Sequence, residues 1–141
     1  MARKTKTWAE KMTTGSPHVE RLKKDFAGIP AGARLLISSP LELDAYLRQQ
    51  IRPGTTRSIQ EIRRDLAQAH AADATCPMTT SIFLRIVAEN AWDQLQAGAD
   101  IGEIAPFWRA VEPTSPLARK LRAGPDWIAN QRESEVEPGT G

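Results

Sequence analysis

Few residues in this chain could do covalent chemistry. There is one cysteine, Cys76, so no intramolecular disulfide and no cysteine-based metal cluster can form. Cys76 stands just before a helix start, where the helix dipole would favour a thiolate. No histidine is near it in sequence, and a structural, cap-adjacent role is the simpler reading. His18 and His70 are far apart and lack metal-ligand spacing. No metal and no cofactor are expected. The residues suited to non-covalent chemistry are more numerous. Arg57, Arg63, Arg64 and Arg85 could neutralise phosphates. Thr79, Thr80 and Ser81 open a helix, where hydroxyls and free N–H groups suit phosphate or base-edge contact and suit simple capping equally well. Phe107 and Trp108 read as alternating across a short strand, one entering the core and the other facing a groove or pocket. Asn90 falls on an apolar helix face, and a buried amide needs a hydrogen-bond partner.

The elements that must position these residues follow from local signals. Ser39-Pro40-Leu41-Glu42 predicts an N-cap, a proline at the first helical position and an acid three residues after the cap. Pro53-Gly54 ends that helix. Ser58-Ile59-Gln60-Glu61 is a second capping box, opening a helix with Ile59, Ile62, Leu66 and Ala69 on one side. Pro77 begins the longest helix, to about Gln96, with an apolar face of Ile82, Phe83, Ile86 and Val87 and then Asn90 and Ala91; Gly98 stops it. Leu35 to Ser38 reads as one buried strand. Shorter helices are expected at 8–12, 18–26, 117–121 and 126–133, and a strand at 107–111. Together these give a mainly α fold with a small β component, of winged helix-turn-helix type, in which 59–70 and 77–96 pack as the positioning and recognition helices.

With 141 residues the chain is expected to hold one folded domain, 35–134, after a basic N-terminal extension, 1–34, and before a disordered tail, 135–141. The formal net charge of +2 is uninformative in size, but its distribution is uneven. Residues 1–24 carry seven Lys/Arg against Glu10 and Glu20; residues 48–64 carry Arg48, Arg52, Arg57, Arg63 and Arg64 against Glu61. That asymmetry suits a polyanion-binding face, and a solvated basic surface equally. No apolar run approaches the roughly 20 residues needed to span a bilayer. The basic N-terminus lacks an apolar core after it, so no secretory signal is read, and a cytoplasmic protein is expected.

Pro106-Phe107-Trp108-Arg109-Ala110-Val111 resembles the Pro-Cys-His-Arg-Val reactive motif of the alkylguanine-DNA alkyltransferases, with Phe107 at the cysteine and Trp108 at the histidine. Three further segments match that family in order. Ile51-Arg52-Pro53-Gly54 with Ser58-Ile59-Gln60-Glu61-Ile62 resembles Ile-Pro-x-Gly-x-Val-x-Tyr-Gly-x-Ile. Pro77 to Asn90 resembles its recognition helix, and Arg122-Ala123-Gly124-Pro125 with Gln131 and Glu133 its closing helix. The match covers about residues 40–135. It implies a DNA-binding scaffold without a nucleophile, similar to the catalytically inactive alkyltransferase-like proteins, which bind alkylated DNA and hand the lesion to other repair machinery. The resemblance implies duplex DNA contacts at Arg57, Ser58, Arg63, Met78, Thr79, Thr80 and Arg85. It implies a pocket near Asn90, Phe107, Trp108 and Arg109, with Asn90 anchoring the loop before Phe107. There are departures. Ile59 stands at the family's base-flipping Tyr and Met78 near its Arg, so apolar bulk replaces a hydroxyl and a hydrogen-bonding fork. The expected function is non-catalytic DNA binding, with a protein partner from repair machinery. The alternative is a winged-helix protein-interaction module, which Arg85 as the sole basic residue of 77–96 keeps open. An enzyme using Cys76 ranks behind both.

Overall fold

A computed structural model describes residues 5–136. Its elements are α1 (Trp8–Lys11), β1 (His18–Arg21), β2 (Arg34–Ile37), α2 (Pro40–Gln50), α3 (Ile59–Ala69), β3 (Ala74–Thr75), α4 (Pro77–Gln96), α5 (Pro116–Lys120) and α6 (Gly124–Glu135). Two single 3-10 turns, Ile101–Glu103 and Phe107–Arg109, separate α4 from α5. The fold is mainly α with one three-stranded sheet, ordered β1-β2-β3.

The capping signals act as written. The Ser39 side chain accepts the Glu42 N–H at 3.1 Å, and Pro40 opens α2, which buries Leu43, Tyr46 and Leu47. Ser58 and Glu61 cap each other's backbone N–H groups at 3.1 Å each, and α3 buries Ile62, Leu66 and Ala67. Glu42 also ties the start of α2 to the end of α3. One oxygen accepts from Ser38 Oγ and the other meets His70 Nε2, both at 2.5 Å. Pro77 opens α4, and Gly98, at φ +105°, ends it with its N–H on the Leu95 carbonyl.

Three expectations about single elements fail. Residues 18–21 form a strand, not a helix. They pair antiparallel with β2 in the register His18↔Ile37 to Arg21↔Arg34, and this hairpin crosses the expected boundary at 34/35. Residues 107–111 form no strand. Their N–H groups bond locally, Ala110 and Val111 both to the Phe107 carbonyl at 3.0 Å, so the backbone coils rather than extends. The buried face of α4 is Leu84, Val87, Ala88 and Ala91, spaced i, i+3, i+4, i+7, with Ile86 beside it; Ile82 is 51% exposed. The disordered tail expected from 135 does not begin there, because Glu135 closes α6 and pairs with Arg109; residues 137–141 lie outside the described residues.

Helices 59–69 and 77–96 are not a closely packed pair. α4 packs mainly on α2 and α1, while α3 lies against β3 and β2. β3 runs parallel to β2, Leu35↔Ala74 and Leu36↔Thr75, and this pairing carries the chain from α3 to the start of α4. The two helices join through the common core, where Ile62 and Leu66 lie in one cluster with Leu84 and Val87.

Candidate nucleic-acid interface

The Phe107–Arg109 turn is built by aromatic packing. Phe107 and Trp108 are 0% and 1% exposed. Phe107 stacks on Trp127, with centroids 5.5 Å apart and planes 13° apart, and Trp108 meets both rings edge-on. Each such contact adds about 0.5–1.5 kcal/mol beyond area burial. A strand would have sent one of the two rings outward. The coiled turn sends both inward, so neither forms the predicted pocket.

Arg109 is likewise structural. Its Nε and Nη2 bond the two Glu135 oxygens at 2.9 and 2.6 Å, and Nη1 bonds the Ile51 carbonyl at 2.8 Å. The paired side chains are each 12% exposed. Burial works to raise the Glu135 carboxyl. The Arg109 guanidinium, helped by the Trp108 indole and the Gly54 N–H, outweighs it and holds the carboxyl below its usual range. The Trp108 indole favours the charged carboxylate, yet its Nε1 is buried without a hydrogen-bond partner. Arg132 adds bonds to the Trp108 and Val111 carbonyls at 2.6 and 3.0 Å.

Asn90 is half-buried, and the polar tether falls one residue earlier. Glu89 is 2% exposed; its Oε1 accepts Arg122 Nε at 2.9 Å, and Arg122 Nη2 also reaches Asp93 at 2.8 Å. That joins α4 to the segment before α6, not to the loop before Phe107. A one-residue slip on a helix moves a side chain by about 100°, which spacing alone did not resolve.

The groove lies elsewhere. A cleft of about 510 Å³ opens between the start of α3, the first turns of α4 and the stretch from Ala110 to α5. Ile59, Ile82, Leu84, Val111 and Leu117 make its apolar wall; Ser58, Gln60, Ser81, Arg85, Glu112 and Lys120 bring polar groups to it. Ser115 caps α5, its Oγ accepting the Ala118 N–H at 3.2 Å, and so positions Leu117 and Lys120.

The predicted contact residues divide. Ser58 and Arg85 line the groove. Met78 is 61% exposed and shares the outer face of α4 with Ile82. Thr80 does not fit the predicted role: it is fully buried, and its hydroxyl donates to the Cys76 carbonyl at 2.6 Å. The Thr79 hydroxyl is buried without a partner. Arg57 is drawn away from the groove. Its Nη1 donates to Asp65 at 2.6 Å and to the Tyr46 hydroxyl at 2.7 Å, and Tyr46 donates to Asp65 at 2.5 Å. Desolvation first, and then the Asp65 bond, push the Tyr46 phenol up to about 12 against the opposing pull of Arg57. Arg63 leans to the other side of α3, with Nε on the Thr75 carbonyl at 3.2 Å. Arg85 also covers the Trp8 ring, 5.6 Å from its centroid, with Lys11 at 4.3 Å. Cys76 is 4% exposed.

Ile82, Val111, Leu117 and Lys120 were not predicted as groove residues. The spacing of α4 predicts Ile82 on the core face, and the others sit in segments whose folding depends on long-range packing. Among the described residues no group of His, Cys, Asp and Glu could hold a metal ion, and no helix is long and apolar enough to cross a membrane. Compared with protein-family models, curated proteins and solved structures, the chain matches none.

Proposed function

We propose that this chain is a non-catalytic DNA-binding protein of alkyltransferase-like type, which holds a modified base in the groove between α3, α4 and α5. The scaffold would be a departure from the winged helix-turn-helix, in which β3 separates α3 from α4 and the two helices meet only through the common core. One observation carries the reading. The groove is lined from 58–60, 81–85 and 110–117, and all three segments belong to stretches that the resemblance sets at the DNA or just after the reactive motif. An apolar wall suits the face of a base, and Arg85 and Lys120 suit flanking phosphates. Met78 and Ile82, exposed one turn apart, suit insertion between bases as apolar wedges.

A gel-shift titration tests this, using duplexes with and without an O6-alkylated guanine at two salt concentrations. Tighter binding to the alkylated duplex, by about tenfold (about 1.4 kcal/mol) and weakening with salt, is expected. Equal failure with both duplexes removes the reading.

A second reading has its own support. Met78 and Ile82 form an exposed apolar pair on a helix whose sole basic residue is Arg85. That composition suits a protein partner docking on α4. Binding of a protein partner that Ile82→Glu abolishes, with no DNA affinity at either salt, would favour it.

A further inference from the structure

The far side of α3 carries a second cleft of about 380 Å³, bounded by Gln60, Arg63, Arg64 and Gln68 on the helix and by the turn leading into β3. Ile62, Leu66 and Ala67 face the core, so these four polar side chains share the outer face of α3. Arg63 is fixed from its base. Its Nε donates to the Thr75 carbonyl, and Thr75 Oγ1 donates back to the Arg63 carbonyl at 2.7 Å. Among the described residues, neither Nη group of Arg63 has a hydrogen-bond partner. Half of its fork is therefore held in place and half is free, which lowers the entropy lost when it binds. Arg64 has a side chain 64% exposed, and its nearest acid, Asp65, is 4.0 Å away and already engaged by Arg57 and Tyr46. The acid lining the cleft is Asp73, whose carboxylate accepts the Arg34 N–H at 2.8 Å. Among the residues that line the cleft, two guanidinium groups stand against one carboxylate, an excess of positive charge that suits a phosphodiester; Glu61 and Asp65 lie beside Arg64 but outside the lining.

Gln60 lines both clefts. The apolar groove and the arginine-lined cleft thus flank the first turns of α3 and meet at one side chain. We propose that the Arg63–Arg64 cleft is a phosphodiester-binding site that grips the nucleic-acid backbone beside the base-holding groove. It rests on the nucleic-acid reading above, but it assigns α3, rather than α4, the main backbone grip. Binding here is blind to base identity, because phosphate contacts set register and not sequence.

Fluorescence anisotropy on the full chain tests it, with one labelled duplex carrying an O6-alkylated guanine and the same duplex carrying an abasic site in its place. Arg64→Ala, a change at an exposed side chain, is expected to weaken binding of both duplexes by the same factor, about three- to tenfold at moderate salt. The slope of log affinity against log salt should fall by about 0.9, the value for one phosphate contact. Arg63→Lys, which keeps charge but loses the fork, should weaken both duplexes equally, by a smaller factor. Arg119→Ala, a basic residue outside both clefts, is the charge control and should stay within twofold. Thermal unfolding of each variant checks that it folds. Unchanged affinity and salt slope in Arg64→Ala, or a loss confined to the alkylated duplex, overturns the site. Equal binding of alkylated and abasic duplexes, both lost in Arg64→Ala, supports the site while removing the base-holding groove. Absence of DNA binding in the unaltered chain overturns both.

Discussion

Two neighbouring regions of this molecule use arginine in opposite ways. Around the Phe107–Arg109 turn, Arg109, Arg122 and Arg132 are engaged by carboxylates and carbonyls, and the rings of Phe107, Trp108 and Trp127 close over one another. Around the first turns of α3 and α4, Arg64 meets only Asp65, at 4.0 Å, the outer fork of Arg63 has no partner among the described residues, and Met78 and Ile82 stand in solvent. The one largely buried pair among these, Arg109–Glu135, adds little net stability, but breaking it is costly. Weakly engaged cations beside exposed apolar side chains add little to stability. The difference teaches where binding should be sought. The segment that resembles a reactive motif is core, and the neighbouring surface carries the less engaged donors.

Mutation should split the two regions. The largest effect is expected for Phe107→Ala, which opens a cavity in the aromatic cluster. Chemical denaturation should show a loss of about 4 kcal/mol; a loss under 1 kcal/mol would mean that the cluster is not the keystone of that region. Arg109→Ala should cost about 3 kcal/mol by leaving Glu135 buried and unpaired. The same pair sets an acid limit. Because the folded Glu135 carboxyl lies below its ordinary value of 4.5, its contribution is complete above that value and fades as pH falls through the lower, folded one. An Arg109→Ala variant should lose that part of the acid dependence.

At the α2–α3 junction the sign is reversed. Tyr46 titrates near 12 in the fold against 10.0 ordinarily, so the folded state keeps a proton that the unfolded state gives up between those values. Stability should fall as pH rises from about 10 to about 12, and Tyr46→Phe should flatten that part of the curve. An unchanged alkaline slope in the variant would contradict the Tyr46–Asp65–Arg57 account. The smallest effect on stability belongs to Ile82→Ser. It should stay within about 0.5 kcal/mol of the unaltered chain while weakening DNA binding, as gel shift would measure.

Much of the helical frame was legible because its signals are local. Ser39-Pro40, Ser58 with Glu61, and Pro77 each specify a helix start through atoms a few residues apart, and all three helices begin there. The β1 strand was hidden because it has one apolar residue, Val19, and its reason for extending is the β2 edge beside it. The 107–111 stretch was misread because two adjacent aromatics fit alternation as well as a coiled turn. Their burial is decided by Trp127, about 20 residues on. The candidate groove was legible only in part. Ser58 and Arg85 stood out by type, whereas Ile82, Val111 and Leu117 are ordinary apolar residues that only packing brings together.

The account turns on which surface meets DNA, and amide chemical-shift mapping of the labelled full chain with a duplex containing an O6-alkylated guanine addresses that directly. Perturbations concentrated at 58–64, 78–85 and 110–120, with Phe107, Trp108 and Trp127 nearly still, are the predicted result. Perturbations centred on the aromatic cluster and α6, with the α3 and α4 first turns unaffected, would contradict it.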